Sequence, residues 1–268
     1  MYNSFIFNFE EQLNDSFLEF KTEGITDLVL DLRYNSGGRG TSATILASLI
    51  SGLSTNDLFF REIFNSELQE QFEANNPGAL ENNFTNQTLD GTPLNKLNLP
   101  RVIILTTNNS ASASELVING LEPYLDVVQI GETTSGKYQG SLTLYDSPGL
   151  TDSEGANPDH TIAIQPLISQ VANADGVTDY AAGLFPDMFY TEIARVFNGE
   201  DLGQIGDPNE AFLNVALEYI STGNIPSSIA SKNLLGKKIN WEAKASSPTY
   251  QRMYMDLEKH KGIFRRTY

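Results

Sequence analysis

Apolar and polar residues follow two different periods along the chain, and each period predicts a different kind of element. Three short apolar runs, at 25–33, 101–107 and 126–131, are typical of buried β-strands. Between the last two runs, residues 113–121 have helical spacing. Strand, helix and strand in this order predict a βαβ unit, so we expect a sheet that is at least partly parallel. The other predicted elements are helices over 10–22, 41–51 and 208–219 and strands over 139–145 and 161–168.

Two stretches lack a clear period. Residues 54–99 contain nine Asn and two Pro, with a helix-like patch only at 61–74. A lid-like insertion and a tolerated surface insertion both fit this pattern. Residues 224–268 carry nine Lys or Arg against three Asp or Glu, which indicates a basic C-terminal extension. The predicted organisation is one α/β domain over 1–223 followed by that extension.

Composition narrows the classes of function. The chain has 268 residues, of which 40% are apolar, and a formal net charge of -17. This acidity argues against nucleic acid as a partner, because affinity there comes from Lys and Arg on phosphates. No apolar run reaches the ~20 residues of a membrane helix, and the segment 1–5 does not resemble a signal peptide. Because the chain has no Cys, disulfides, Cys nucleophiles and Cys-based metal sites are excluded.

A serine-rich turn joins the strand at 101–107 to the helix at 113–121. A serine at such a junction lies beside backbone N–H groups that lack helical partners, at the positive end of the helix dipole. Both features stabilise an alkoxide and a neighbouring oxyanion, so Ser112 is a candidate nucleophile. Ser112 and Glu115 also fit the capping-box pattern. On this segment alone, capping is the stronger interpretation.

A lysine follows the next strand of the same βαβ unit. Loops at the carboxyl ends of parallel strands face one edge of the sheet, so we expect Lys137 and Ser112 to converge. A neutral lysine takes a serine proton when burial has lowered its pKa. A solvated loop lysine is the simpler alternative.

Paired glycines follow the first predicted strand. Gly37 and Gly38 either present backbone N–H groups to a developing oxyanion or form an ordinary turn. The run from Gly38 to Ala43 also matches the dinucleotide-binding pattern G-x-G-x-x-A. We discount this match because Arg39 stands in the tight turn and because the acidic residue about 20 positions later, Glu62, belongs to the polar stretch rather than to a second strand.

An acidic loop contains Asp152, Glu154, Asp159 and His160. Its spacing matches no metal-binding loop, so a solvated loop is expected. No metal site and no organic cofactor are predicted.

Three segments carry a family resemblance when they are taken in order. They read DLRYNSGG at 31–38, SASASE at 110–115 and GETTSGK at 131–137, and a later GLFPD stands at 183–187. Together they resemble the tail-specific, or C-terminal processing, serine peptidases of family S41, and the last segment looks like the family's G-I-x-P-D stretch. The resemblance covers roughly residues 20–190 and implies a ClpP/crotonase-like α/β core.

The resemblance also implies a role for each segment. Ser112 would be the nucleophile, and Lys137, 25 residues later, would be the general base. The oxyanion hole would use the N–H of Ala113 with that of Gly37 or Gly38. The implied activity is hydrolysis of flexible or unfolded polypeptides near their C-termini through a Ser–Lys dyad, in a bacterial protein of the periplasm or cell envelope.

Two features depart from the family pattern. Members often have Gln four residues after the lysine, where this chain has Ser141, so Ser141 and Gln139 are the candidates for orienting Lys137. A PDZ domain usually precedes the core, and we expect none in this chain.

A non-catalytic peptide-binding or scaffold domain on the same fold is the main alternative, and a dinucleotide-binding oxidoreductase is a distant third. Because Ser112 and Lys137 are both present, we expect an active peptidase with a polypeptide substrate. The sequence does not predict the oligomeric state.

Overall fold

Two main β-sheets carry the fold in this computed structural model, which describes residues 1–197, 199, 201–226 and 252–254. The first sheet has four parallel strands in the order β1-β5-β6-β11. Its strands are β1 (Val29–Asp31), β5 (Arg101–Thr106), β6 (Asp126–Gly131) and β11 (Met188–Phe189). This parallel sheet confirms the βαβ prediction.

The second sheet has six strands in the order β2-β12-β7-β10-β3-β4. The strands from β7 to β4 pair antiparallel, whereas β12 is parallel to both of its neighbours. A small pair, β8 with β9, extends beyond β7 and β10. The strands are β2 (Gly37–Arg39), β3 (Leu58–Phe64), β4 (Glu81–Asn83), β7 (Gln139–Ser141), β8 (Leu144–Tyr145), β9 (Ala163–Ile164), β10 (Leu167–Ala172) and β12 (Arg252–Tyr254).

Helices cover both faces of the parallel sheet. Along β5, Val102 and Ile104 point into one apolar cluster, whereas Ile103 and Leu105 point into the other. This alternation is what a strand covered on both sides requires. The helices are α1 (Glu10–Glu23), α2 (Gly40–Ser51), α3 (Ser66–Asn75), α4 (Ala113–Leu121), α5 (Glu192–Phe197) and α6 (Ala211–Thr222).

The stretch 54–99 contributes to the core, so the lid-like interpretation is not confirmed. Its strand β3 lies between β10 and β4, and Phe59 is fully buried in the main apolar cluster. Phe59 packs so closely on α4 that a Cβ at Gly120 would lie 2.3 Å from its ring. The predicted helix over 61–74 is wrong at its start, because β3 continues to Phe64 and the helix begins only after Asn65, whose side chain caps it.

The glycine pair Gly37 and Gly38, for which an ordinary turn was one of the two predictions, lies in the short strand β2. Of the predicted extension beyond residue 223, the structure describes 224–226 and 252–254, and the latter form β12. The rest of the predicted basic extension lies outside the described residues.

Candidate active site

Three loops leave the carboxyl ends of β1, β5 and β6 at one edge of the parallel sheet. The loops span 32–36, 107–112 and 132–138, and each overlaps one of the segments that the sequence singled out, 31–38, 110–115 and 131–137. Two main-chain hydrogen bonds join them directly, from the N–H of Ala111 to the carbonyl of Asn35 (3.2 Å) and from the N–H of Ser135 to the carbonyl of Ser110 (2.9 Å). The predicted convergence of these segments at one sheet edge is therefore what the fold produces.

The three serines at 110, 112 and 114 have different environments. The hydroxyl of Ser110 donates to the carbonyl of Leu32 (2.8 Å), and the hydroxyl of Ser114 donates to the carbonyl of Asn35 (2.8 Å). These two hydroxyls tie the turn to the neighbouring loop. The Oγ of Ser112 is buried and makes no hydrogen bond of standard geometry with the described residues. Ser112 is thus the one serine of the three whose hydroxyl donates to no structural carbonyl there, although its side chain faces the N–H of Glu115 in the predicted capping-box arrangement.

Ser112 has an unusual backbone conformation at the start of α4. Its φ is 61° and its ψ is -112°, a combination that non-glycine residues rarely adopt and that costs about 1–3 kcal/mol. Such strain persists where the surrounding structure imposes it, and it clusters at functional sites. The next residue, Ala113, is the first of α4, so its N–H belongs to the group that finds no partner inside a helix.

Gly37 lies directly against the serine turn. A Cβ built on Gly37 would stand 2.7 Å from the Cβ of Ser112 and 3.1 Å from the nitrogen of Ala113, at a φ of 104°. Only glycine fits this position. The N–H of Gly37 donates to Oδ1 of Asn35 (2.9 Å). A contribution of that N–H to an oxyanion hole would therefore require Asn35 to release it.

Gly38 is equally constrained on the other side of β2. A Cβ there would stand 2.3 Å from the carbonyl oxygen of Phe5, at a φ of 141°. The N-terminal segment thus packs against the glycine pair, with the N–H of Arg39 donating to the carbonyl of Phe5 (2.8 Å).

Glu115 connects the serine turn to the lysine loop. Its Oε2 accepts the N–H of Ser112 (2.7 Å) and the N–H of Lys137 (2.8 Å), so these two nitrogens lie at most about 5.5 Å apart, the two bonds laid end to end. Its Oε1 accepts the hydroxyl of Thr134 and the N–H of Gly136, both at 2.6 Å. The bond to Ser112 is the Glu half of the predicted capping box. Burial raises the pKa of Glu115, and the four donors oppose that rise.

Lys137 is partly buried, and its Nζ donates to the carbonyl of Gln139 (3.2 Å). Of the two candidate orienting residues, Gln139 therefore contacts the ammonium through its main chain. The hydroxyl of Ser141 donates to the carbonyl of Met253 in β12 (2.9 Å).

The loop that carries Lys137 is supported by the segment 180–184. The N–H of Thr134 donates to the carbonyl of Leu184 (3.1 Å), and the N–H of Leu184 donates back to the Thr134 hydroxyl (2.8 Å). Gly136 faces this segment so closely that a Cβ on it would lie 2.2 Å from the carbonyl oxygen of Ala181. The first residues of the GLFPD stretch at 183–187 therefore support the lysine loop.

A buried ionic cluster holds the other end of the first loop. The guanidinium of Arg33 contacts Asp31 (2.7 Å), Glu192 (2.7 Å) and Glu210 (2.9 Å) and lies 4.6 Å from the ring of Phe212. The cluster joins β1 to α5 and to the start of α6. Sequence reasoning did not find it, because two of the three acidic partners, Glu192 and Glu210, lie 159 and 177 residues away from Arg33.

Burial raises the pKa of Glu192, although the hydroxyl of Tyr34 and the charge of Arg33 oppose the rise. The Tyr34 hydroxyl donates to Glu192 (2.7 Å), and burial likewise raises the pKa of Tyr34.

The described residues contain no group of three His, Asp or Glu side chains that could hold a metal ion. In the acidic loop, His160 lies 3.4 Å from Asp146 at the surface. Among the residues that the structure describes, every helix is too short or too polar to span a membrane.

The sequence matches one known peptidase family. The sequence model described as "Peptidase family S41" matches residues 1–156, more than half of the chain. The chain belongs to peptidase family S41. The matched range contains the first three segments on which the resemblance was based.

The chain is also similar to several solved structures. A putative S41 protease from Bacteroides fragilis NCTC 9343 matches with a TM-score of 0.68 and 29% identity, over 84% of this chain and 54% of that one. Mature CPAF matches with a TM-score of 0.50 at 12% identity, over 81% of this chain and 48% of that one, and supports the fold alone. The photosystem II D1 C-terminal processing protease gives a TM-score of 0.49 at 20% identity, over 70% and 40% of the two chains.

This S41 chain therefore spans about half the length of the solved structures that it matches. No curated protein sequence matches it significantly.

Proposed function

We propose that this chain is a serine peptidase in which Ser112 is the nucleophile and Lys137 the general base. The single observation that carries the proposal is the Ser112 hydroxyl, which is buried and without a standard hydrogen bond among the described residues while Ser110 and Ser114 are both used structurally. A nucleophile must be available for its base and its substrate, and a hydroxyl that donates to a structural carbonyl is not.

The lysine is placed by the same carboxylate that holds the serine turn. Because Glu115 accepts the N–H groups of both Ser112 and Lys137, the two residues start from neighbouring backbone positions. A lysine is a compact amine on a flexible stem, and it serves as a base when it is neutral. Its present contact with the carbonyl of Gln139 would give way to the Ser112 hydroxyl in the reactive state.

The proposed reaction is acyl transfer. Neutral Lys137 accepts the Ser112 proton as Oγ bonds to the carbonyl carbon of a peptide, and the carbonyl oxygen becomes an oxyanion. The N–H of Ala113, with that of Gly38 or of Gly37 released from Asn35, would hold this oxyanion. Lys137 then donates its proton to the leaving amine, and water hydrolyses the acyl-enzyme.

The proposed substrate is a flexible or unfolded polypeptide, cleaved near its C-terminus, outside the cytoplasm. These finer statements rest on the resemblance of the three segments to tail-specific peptidases. A model polypeptide with a free C-terminal carboxylate should be cleaved faster than the same polypeptide with an amidated C-terminus, as measured by mass spectrometry of the products.

The three serines supply the decisive experiment with its own controls. A serine-directed fluorophosphonate probe should label the parent protein, and Ser112→Ala should abolish both labelling and cleavage of a denatured protein. Ser110→Ala and Ser114→Ala each remove a structural hydrogen bond and should keep most of the labelling. Labelling that survives in Ser112→Ala would contradict the assignment, and no labelling in any form would favour a non-catalytic peptide-binding domain.

The base is tested separately. Lys137→Ala should stop labelling near neutral pH without unfolding the protein, because the hydroxyl then lacks a proton acceptor. Circular dichroism and thermal unfolding should match those of the parent. Unchanged labelling would show that another group activates Ser112.

A further inference from the structure

Strand β12 separates the two strands that flank the candidate active site. Met253 lies opposite Gly38 of β2 on one side and opposite Gly140 of β7 on the other, with parallel pairing on both sides. In the described sheet, β2 and β7 do not pair with each other. The three residues of β12 therefore occupy the space of one strand between β2 and β7. We call this space the slot.

The walls of this slot adjoin the proposed catalytic groups. On one wall, Gly37 of β2 packs against Ser112 and Ala113. On the other, β7 begins at Gln139, two residues after Lys137. An extended chain in this slot therefore runs between the serine turn and the lysine loop.

Each wall is held by contacts that do not involve β12. On the side away from the slot, the N–H of Phe5 donates to the carbonyl of Gly37 (3.2 Å), and the N–H of Arg39 donates to the carbonyl of Phe5 (2.8 Å). On the opposite wall, β7 pairs antiparallel with β10. Because both walls have this independent support, the slot should persist when β12 leaves it.

The contacts of β12 in the slot involve its main chain and one apolar side chain. Three of the five wall positions paired with β12 are glycine, namely Gly37, Gly38 and Gly140. The hydroxyl of Ser141 donates to the main-chain carbonyl of Met253, while the Met253 side chain is fully buried in the main apolar cluster. Recognition by strand addition takes its affinity from main-chain bonds and its specificity from such side-chain pockets.

We propose that this slot is the substrate-strand site and that β12 occupies it as an internal competitor. An extended polypeptide would displace β12, pair with β2 and β7, and place an apolar residue where Met253 now lies. The inference rests on the proposed peptidase function, and it adds that the chain inhibits itself through its own C-terminal strand.

A reversible disulfide between β12 and β7, called the lock below, tests whether β12 must leave the slot. The chain has no cysteine, and Tyr254 is paired with Ser141 across β12 and β7. Neighbouring strands lie about 4.8 Å apart, within the Cα separation of roughly 4.4–6.8 Å that a disulfide spans. The double variant Ser141→Cys/Tyr254→Cys, once oxidised, should cleave a denatured protein at least about tenfold more slowly than after reduction, since the open fraction limits binding. The two single-cysteine variants are the controls.

An opening variant tests the opposite direction. Met253→Pro removes one main-chain donor and disfavours pairing, so cleavage should become about threefold faster or more. In a Ser112→Ala background, which prevents turnover, a fluorescent peptide with the sequence of residues 250–256 should bind the Met253→Pro protein and not the oxidised lock, as measured by fluorescence anisotropy. Ser141→Ala, which removes the bond to Met253, should have a smaller effect in the same direction.

The possible results separate the inference from the peptidase assignment. If the oxidised lock cleaves as fast as the reduced form, or if a folded Met253→Pro protein binds no peptide and cleaves more slowly, β12 is a fixed strand and the inference is wrong. If Met253→Pro does not fold, the lock and Ser141→Ala decide. If the small fluorophosphonate probe labels neither the locked nor the open form, the peptidase assignment fails, while peptide binding still reports on the slot.

Discussion

Two buried carboxylate centres flank the candidate active site, and their charges are compensated in different ways. Glu115, between the serine turn and the lysine loop, accepts three main-chain N–H groups and one hydroxyl. The Arg33 cluster, at the end of β1, instead surrounds one guanidinium with three carboxylates.

The difference shows what each centre depends on. Around Glu115 the compensation is spread over four donors that the fold holds in place, so removing one donor costs about one hydrogen bond, ~1 kcal/mol. Around Arg33 the positive charge is concentrated in a single side chain, so its loss leaves three carboxylates without their cation, although Glu192 keeps the Tyr34 hydroxyl and Glu210 keeps the N–H of Leu213. We therefore expect the Arg33 centre to dominate stability and the Glu115 centre to dominate activity.

The largest expected effect comes from Arg33→Met. Removing one partner from a buried ionic cluster costs about 3–5 kcal/mol of unfolding free energy, and urea denaturation measures it. Arg61→Met is the matched control, because Arg61 and Glu81 form an ion pair that is about half exposed and worth roughly 0–1 kcal/mol. Equal effects of the two substitutions would remove the basis of the comparison.

The second effect comes from Glu115→Gln. Each carboxylate oxygen of Glu115 accepts two hydrogen bonds. In Gln one of these oxygens is replaced by an amide nitrogen, which is a donor and can accept neither of them. We expect a loss of about 1–3 kcal/mol in stability and a fall in kcat of roughly 10–100-fold through misplacement of the reacting groups. KM should change little, because in the proposed mechanism Glu115 positions Ser112 and Lys137 and does not touch the substrate. Glu218→Gln, at an exposed position of α6, should change neither quantity.

The smallest effect is a pH dependence at Glu192. Burial raises the pKa of this carboxyl in the folded protein above its usual 4.5. The folded state therefore binds the proton more tightly than the unfolded state, and this contribution to stability is complete below pH 4.5 and is lost as the pH rises through the folded value. Glu192→Gln lacks the titration, so its unfolding free energy relative to the parent, measured by urea denaturation, should improve as the pH rises from about 4.5 to about 7. A relative stability that stays flat or worsens with rising pH would contradict the raised pKa.

The strands and helices with a clear apolar period were predictable from the sequence. The three-residue strands that form by pairing with distant segments were not. The strands at 101–106 and 126–131 and the helix at 113–121 follow from local apolar spacing, which their burial explains. Strands β2 and β12 have three residues each, too few to show a period, and they exist because distant segments pair. The same reason accounts for the error at 61–64, where pairing with β10 and β4 outweighs a helix-like pattern.

The candidate site was predictable as a set of segments rather than as a network. The order of strands and loops was enough to bring the serine turn and the lysine loop to one edge. The sequence suggested the bond between Glu115 and Ser112 through the capping-box spacing. It did not reveal that Glu115 also accepts Thr134, Gly136 and Lys137, since these donors lie 19 to 22 residues away on another loop.

The close contact between Gly120 and Phe59 ties α4, which begins at the proposed nucleophile, to a distant part of the chain. Gly120 stands eight residues along from Ser112, or about 12 Å at 1.5 Å per residue, and a helix of that length moves as a rigid rod. A single methyl group at 120 would push against the Phe59 ring and tilt the rod, displacing the serine at its far end. The asparagine-rich stretch around β3 can therefore change in length and sequence only while Phe59 keeps its position against α4.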